Sequence, residues 1–122
     1  MEDVGATLRQ QKVSRQLQRD FSEMFQNELR ALAGGCLISV TDVWISQDLE
    51  QAKVYISIFP KEHEQEIFEN IQSKGKEIRY QLGKRVRHQL RLVPELLFRL
   101  DQSLDEVEKL EGLLAQIKHS ES

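Results

Sequence analysis

The chain has 122 residues, 39% of them hydrophobic and 30% charged, with a formal net charge of −3 at pH 7. That length suits one domain able to bury about two thirds of its unfolded surface, and no apolar run approaches the roughly 20 residues that a membrane-spanning helix needs. The opening Met1-Glu2-Asp3-Val4-Gly5 has neither the basic nor the apolar part of a secretory signal, and the single cysteine, Cys36, cannot close an internal disulfide. A cytoplasmic setting is therefore expected, with no membrane partner.

Val13, Leu17, Phe21, Met24, Phe25, Leu29 and Leu32 recur at spacings of three and four, which predicts a first helix from about residue 7 to 32. Gly34-Gly35 stops it. From Cys36 to Ser46 the pattern is that of a strand, but Ile38 and Val40 have the opposite parity to Val43 and Ile45. A one-residue slip turns every side chain to the other face, so a bulge near Thr41-Asp42 is expected to restore the register. Trp44 falls between two core positions and either rests beneath a later helix or stands exposed as a contact. After a turn at residues 46–50, Ala52, Val54, Ile56 and Ile58 alternate with Lys53, Tyr55, Ser57 and Phe59, a second strand with one buried face.

Beyond Pro60, Ile67, Ile71, Ile78, Leu82, Val86 and Leu90 mark a helical row whose missing member is Gly75. Glycine inside a helix costs about 1 kcal/mol relative to alanine, so two helices are predicted to meet there. A branched residue at position 75 would then crowd its neighbours. The first of the pair is acidic (Glu62, Glu64, Glu66, Glu69) and the second basic. Val93-Pro94 opens a third strand running to Asp101. Ser103, with Glu106 in capping-box spacing, starts a last helix carrying Leu104, Val107, Leu110, Leu114 and Ile117. Residues 1–122 thus form one domain, with a core over about 7–117 and a disordered tail over about 118–122.

Charge is distributed unevenly. Residues 74–91 hold Lys74, Lys76, Arg79, Lys84, Arg85, Arg87 and Arg91 against one acid, Glu77, for a local charge of +6. The whole chain being −3, the remaining residues sum to −9. On a helix, Lys76, Tyr80, Lys84, Arg87 and Arg91 share the face opposite Ile78, Leu82, Val86 and Leu90. Cations interleaved with an aromatic ring suit a phosphate backbone with a base or ribose stacked beside it. The competing reading is a solvated helix face, but ordinary exposed helices mix their charges. Arg79 and Arg85 border the apolar face and are expected to serve structure through salt bridges. At the helix start, Gly75 offers free N–H groups at the positive end of the dipole with Lys74 and Lys76 on either side, all favourable to phosphate.

Catalysis finds little support. His63, His88 and His119 are far apart, and neither a His-x-x-x-His nor a Cys-x-x-Cys spacing offers metal ligands. Cys36 is expected to be a small buried hydrophobe. There is no glycine-rich phosphate loop, so no nucleotide or other cofactor is expected. His88, beside the basic stripe, is either a pH-dependent contact or a spectator.

The segments Thr41-Asp42-Val43-Trp44-Ile45-Ser46-Gln47-Asp48-Leu49, Ala52-Lys53-Val54-Tyr55-Ile56-Ser57, Leu82-Gly83-Lys84-Arg85-Val86-Arg87 and Val93-Pro94-Glu95-Leu96-Leu97-Phe98 resemble the signature of the bacterial ribosome-binding factor A family. So does the first helix from Val13 to Arg19, and the resemblance runs to about Leu114. It implies an α+β, type II KH-like domain of order α-β-β-α-α-β, with a three-stranded mixed sheet and an extra C-terminal helix. It also implies a non-enzymatic factor that binds the small (30S) ribosomal subunit and its 16S rRNA during maturation and rRNA processing, including in the cold. The family's Ala-x-Gly kink corresponds here to Ser73-Lys74-Gly75, with serine replacing alanine and Ser73 a candidate cap of the next helix. The RNA-binding residues so marked are Ser73, Lys74, Gly75, Lys76, Tyr80, Lys84, Arg87 and Arg91, on a chain expected to act as a monomer without a small-molecule substrate. Two other readings stay open on sequence alone: a KH-like module that regulates through DNA, and an adaptor whose basic stripe meets an acidic protein.

Overall fold

Thr7 starts the first helix by a reciprocal capping box: its Oγ1 accepts from the Gln10 N–H at 3.1 Å, and the Gln10 Oε1 accepts from the Thr7 N–H at 2.8 Å. The computed structural model describes residues 7–90 and 92–101. In these the order is α1 (Leu8–Gln26), β1 (Leu37–Ile45), β2 (Gln51–Phe59), α2 (Glu64–Ser73), α3 (Gly75–Val86) and β3 (Glu95–Leu100). The predicted C-terminal helix and tail lie outside the described residues, and so does Arg91. Among the described residues, no helix is long and apolar enough to cross a membrane.

α1 ends six residues before the expected 32. Asn27 leaves helical geometry and its side-chain amide donates to the Glu23 carbonyl at 3.0 Å, the competition with backbone that keeps asparagine out of helix interiors. Leu29 and Ala33 stay buried all the same, carried inward by the turn and the 3-10 segment Arg30–Ala33. Gly34 and Gly35 then adopt φ of 55° and 86°, a left-handed conformation that glycine enters without strain.

β1 pairs antiparallel with β2, and β2 pairs parallel with β3, giving a three-stranded mixed sheet in the order β1-β2-β3. The expected bulge is present: Val40 faces Ile56 and Asp42 faces Tyr55, leaving Thr41 as the extra residue. Both halves of β1 therefore send Ile38, Val40, Val43 and Ile45 to the same face as Ala52, Val54, Ile56 and Ile58 of β2. The three helices cover that face with Leu17, Phe21, Met24, Ile67, Ile71, Ile78, Leu82 and Val86. Each such side chain contributes about 1.5–3 kcal/mol by leaving water. Phe21 meets Phe98 of β3 edge-on, with ring centroids 6.2 Å apart. Cys36 is partly buried against this core. Trp44 faces away from it, half-exposed, with the Lys53 ammonium 4.9 Å from its ring.

The β1–β2 turn is held by side chains. Ser46 Oγ donates to Asp48 Oδ1 at 2.6 Å, and the same carboxylate oxygen accepts from the Glu50 N–H at 3.0 Å. Leu49 takes φ 61° between them. The Ser-x-Asp-Leu part of the sequence signature is thus a turn lock.

Candidate nucleic-acid interface

The helix break falls at Lys74, which with φ −102° and ψ 18° closes α2 and opens α3. Ser73 Oγ donates back to the Asn70 carbonyl at 2.7 Å. It therefore finishes α2 and does not cap α3, correcting the expectation from sequence, and no side chain caps α3. Gly75 is likewise placed differently from its slot in the apolar row. A Cβ built on it would meet no heavy atom within 4 Å, because the break at Lys74 turns the row so that Ile71 and Ile78 reach the core without position 75 between them. The backbone at Gly75 faces open space.

From there α3 buries Ile78, Leu82 and Val86 and exposes Lys76, Tyr80, Lys84 and Arg87. These four form one wall of a groove of about 580 Å³, whose remaining lining is Arg79, Gly83, Leu92 and Val93. Among the described residues the lining holds four cations and no carboxylate. Gly83 lets the α3–β3 connection lie close, since a Cβ there would stand 3.3 Å from Val93 Cγ2. Arg79 fastens that connection, with Nε donating to the Pro94 carbonyl at 3.1 Å and Nη2 to the Val93 carbonyl at 2.7 Å. Its structural role is as expected, though through carbonyls and not carboxylates.

Arg85 turns away from the groove to α1. Its Nη2 pairs with Glu23, its Nη1 lies 3.2 Å from Glu28, and its Nε lies 3.6 Å from Asp20. Burial opposes the charge, but Glu28, Glu23 and Asp20 outweigh it and hold the guanidinium pKa above its ordinary value. Within the groove the Lys84 ammonium lies 5.0 Å from the Tyr80 ring centroid. At the far end Arg87 Nε donates to His88 Nε2 at 3.3 Å, so His88 touches the stripe through Arg87.

Of the eight residues marked from sequence, Lys76, Tyr80, Lys84 and Arg87 are brought together. Ser73, Lys74 and Gly75 lie at the α2–α3 junction, ahead of the groove and not in its lining, and Arg91 is outside the described residues. α3 ends at Val86, one turn short of Leu90. That residue still packs against the core, its N–H bonded to the Val86 carbonyl at 2.8 Å. Sequence reasoning missed the opposite wall. Leu92 is 74% exposed, and its only sequence signal is a large apolar residue outside any periodic row.

These features define a small α+β binding protein whose outward helix carries a groove lined by four cations, one aromatic ring and an apolar opposite wall. The sequence profile of the ribosome-binding factor A family matches residues 9–114, and the chain belongs to that family. It is 41% identical over 106 residues to ribosome-binding factor A of Christiangramia forsetii, covering 86% of this chain and 81% of that protein. To the Flavobacterium johnsoniae protein of the same name it is 43% identical over 110 residues, covering 89% and 85%. The crystal structure of ribosome-binding factor A from Thermus thermophilus is similar in fold, with a TM-score of 0.62 at 23% identity over 75% of this chain and 94% of that one.

Proposed function

We propose that this protein is a non-enzymatic assembly factor that binds the small ribosomal subunit through its 16S rRNA during late maturation and rRNA processing, with a greater demand for it in the cold. It acts in the cytoplasm as a monomer, as one type II KH-like domain in which the Ser73-Lys74-Gly75 break stands where a KH loop would be. The observation that carries this reading is the groove itself: Lys76, Arg79, Lys84 and Arg87 surround Tyr80 without a carboxylate among them. Such a lining holds backbone phosphates by charge and one base or ribose by stacking. The open backbone at Gly75, at an α3 start that no side chain caps, extends the same surface to a phosphate beside Lys74 and Lys76.

Sucrose-gradient fractionation of a lysate tests the reading. The protein is expected with free or immature 30S particles, and much less with 70S ribosomes or 50S subunits. Even distribution over all fractions, or recovery only at the top of the gradient, would overturn it. Equal affinity for duplex DNA and for small subunits would favour a DNA-binding module instead.

A further inference from the structure

α1 carries a second run of cations that the groove does not use. Arg9, Lys12, Arg15 and Arg19 are all exposed and spaced by three, three and four residues. No Asp or Glu lies between Thr7 and Arg19. Among the described residues none of the four pairs with a carboxylate; Arg19 Nη2 donates to the neutral Gln16 Oε1 at 2.9 Å. Helix energetics do not favour this arrangement. The N-terminal end of a helix is the positive end of its dipole, where a cation such as Arg9 is unfavourable, and like charges three or four residues apart repel. The first turn of α1 contains no acid to offset them. Asp20 and Glu23 further along the same helix, and Glu28 in the turn just after it, all face Arg85 of α3. Charge on α1 is therefore sorted: the acids tie the fold together, and the cations are left for something outside it.

The surroundings of the cations match that purpose. Lys12, Arg15 and Arg19 line a shallow depression of about 620 Å³ with Gln16 and Gln18. Lys12 and Gln16 also line a second groove between the helices, of about 240 Å³, shared with Val86, Gln89 and Leu90. Val86 and Gln89 flank Arg87 and His88 in sequence, so this second groove adjoins the end of the α3 stripe. Between Thr7 and Asp20 α1 has no aromatic residue, and its row of cations offers charge to phosphate without a ring for a base to stack on. Cations three to four residues apart stand about 4.5–6 Å apart along a helix axis, a spacing suited to the backbone of a folded RNA segment read by shape.

We propose that α1 is a second RNA-backbone surface, with Arg9, Lys12, Arg15 and Arg19 gripping a helical stretch of RNA while the α3 groove holds a less paired stretch through Tyr80. This rests on the assembly-factor reading above. The test compares purified small ribosomal subunits bound by wild type, by the triple variant Lys12→Ala, Arg15→Ala, Arg19→Ala, and by Lys76→Ala, Lys84→Ala, Arg87→Ala, over a salt titration. Alanine favours helix, so the α1 variant should melt at or above the wild-type temperature. The triple Lys12→Gln, Arg15→Gln, Arg19→Gln replaces it if helical circular dichroism is lost.

Each phosphate contact removed lowers the slope of log affinity against log salt by about 0.7–0.9, so the α1 triple should lose about 2 to 3 in slope. At 0.1 M salt, one decade below 1 M, that is roughly a 100- to 1,000-fold loss of affinity. Combining both triples should lower the slope further. If wild type binds and the α1 triple binds equally at every salt concentration, this inference alone is overturned. If wild type itself does not bind small subunits, the assembly-factor reading falls and takes this one with it.

Discussion

Lys84 holds its ammonium 5.0 Å from the centroid of the Tyr80 ring, one turn earlier on α3. The cation belongs to the ring as much as to the solvent, a contact of about 0.5–1 kcal/mol at an exposed site. A base arriving at Tyr80, which is 64% exposed, must take the free ring face or displace Lys84.

Tyr80→Ala should therefore weaken binding to small subunits by about 1–3 kcal/mol, the range for loss of one stacked base, while the salt slope stays near that of wild type. Tyr80→Phe keeps the ring and should bind almost normally. Equal binding by all three proteins would remove Tyr80 from the interface.

Gly75 offers a different separation of fold from binding. Its φ is not in the left-handed region and a Cβ meets open space, so Gly75→Ala should raise stability by about 0.4–1 kcal/mol through the unfolded chain. Gly75→Val should fold as well, against the crowding that the apolar row suggests. If RNA approaches the backbone there, both variants bind more weakly while melting no lower than wild type, a combination that thermal melts and subunit binding measure together.

Arg85 predicts the reverse. Arg85→Ala leaves the nearly buried Asp20 beside Glu23 and Glu28 without their shared cation, and should destabilise by about 1–3 kcal/mol. Its salt slope for subunit binding should match wild type, because the guanidinium faces α1. A fall in slope without a fall in melting temperature would move Arg85 into the interface.

At the β1–β2 turn, the Ser46 hydroxyl and then the Glu50 N–H hold the Asp48 carboxyl below its usual range. A carboxylate with a depressed folded-state pKa contributes stability that is fully present above its unfolded value of about 3.9. That contribution is lost as pH falls through the folded value. Asp48→Ala should accordingly melt below wild type at neutral pH, with the gap closing in acid. A gap that is constant from pH 7 to pH 3 would show that charge at Asp48 has no part in the turn.

Period and parity made most of the fold legible. The switch of parity between Val40 and Val43 required the bulge that Thr41 supplies, and the alternation from Ala52 to Ile58 matches β2 residue by residue. The Leu82-to-Arg87 segment is nearly a code: Leu82 and Val86 for the core, Gly83 for the Val93 contact, Lys84 and Arg87 for the groove, Arg85 for the α1 acids. What stayed hidden depends on direction in space. Spacing alone placed Gly75 in the apolar row because it assumes a straight helix, and the break at Lys74 removes that assumption. Nor does local pattern tell that Arg79 would find carbonyls at Val93 and Pro94, or that Leu92 would form the groove's second wall, since both depend on where a fourteen-residue return brings the chain.

The stripe remains the most direct test of the groove. Lys76, Lys84 and Arg87 are exposed and their α3 neighbours Ile78, Leu82 and Val86 fill the core, so replacing all three with glutamate should leave the circular dichroism spectrum intact. Loss of three phosphate contacts should flatten the slope of log affinity against log salt by about 2 to 3, and the added negative charge should abolish binding to small subunits at moderate salt. Reversal of Glu62, Glu64 and Glu69 to lysine is the control. These acids belong to the segment before the break and do not line the groove, so binding should stay equal or tighten. Should the stripe reversal bind as wild type does, Lys76, Lys84 and Arg87 are only a solvated face, and the cations of α1 would have to carry the contact alone.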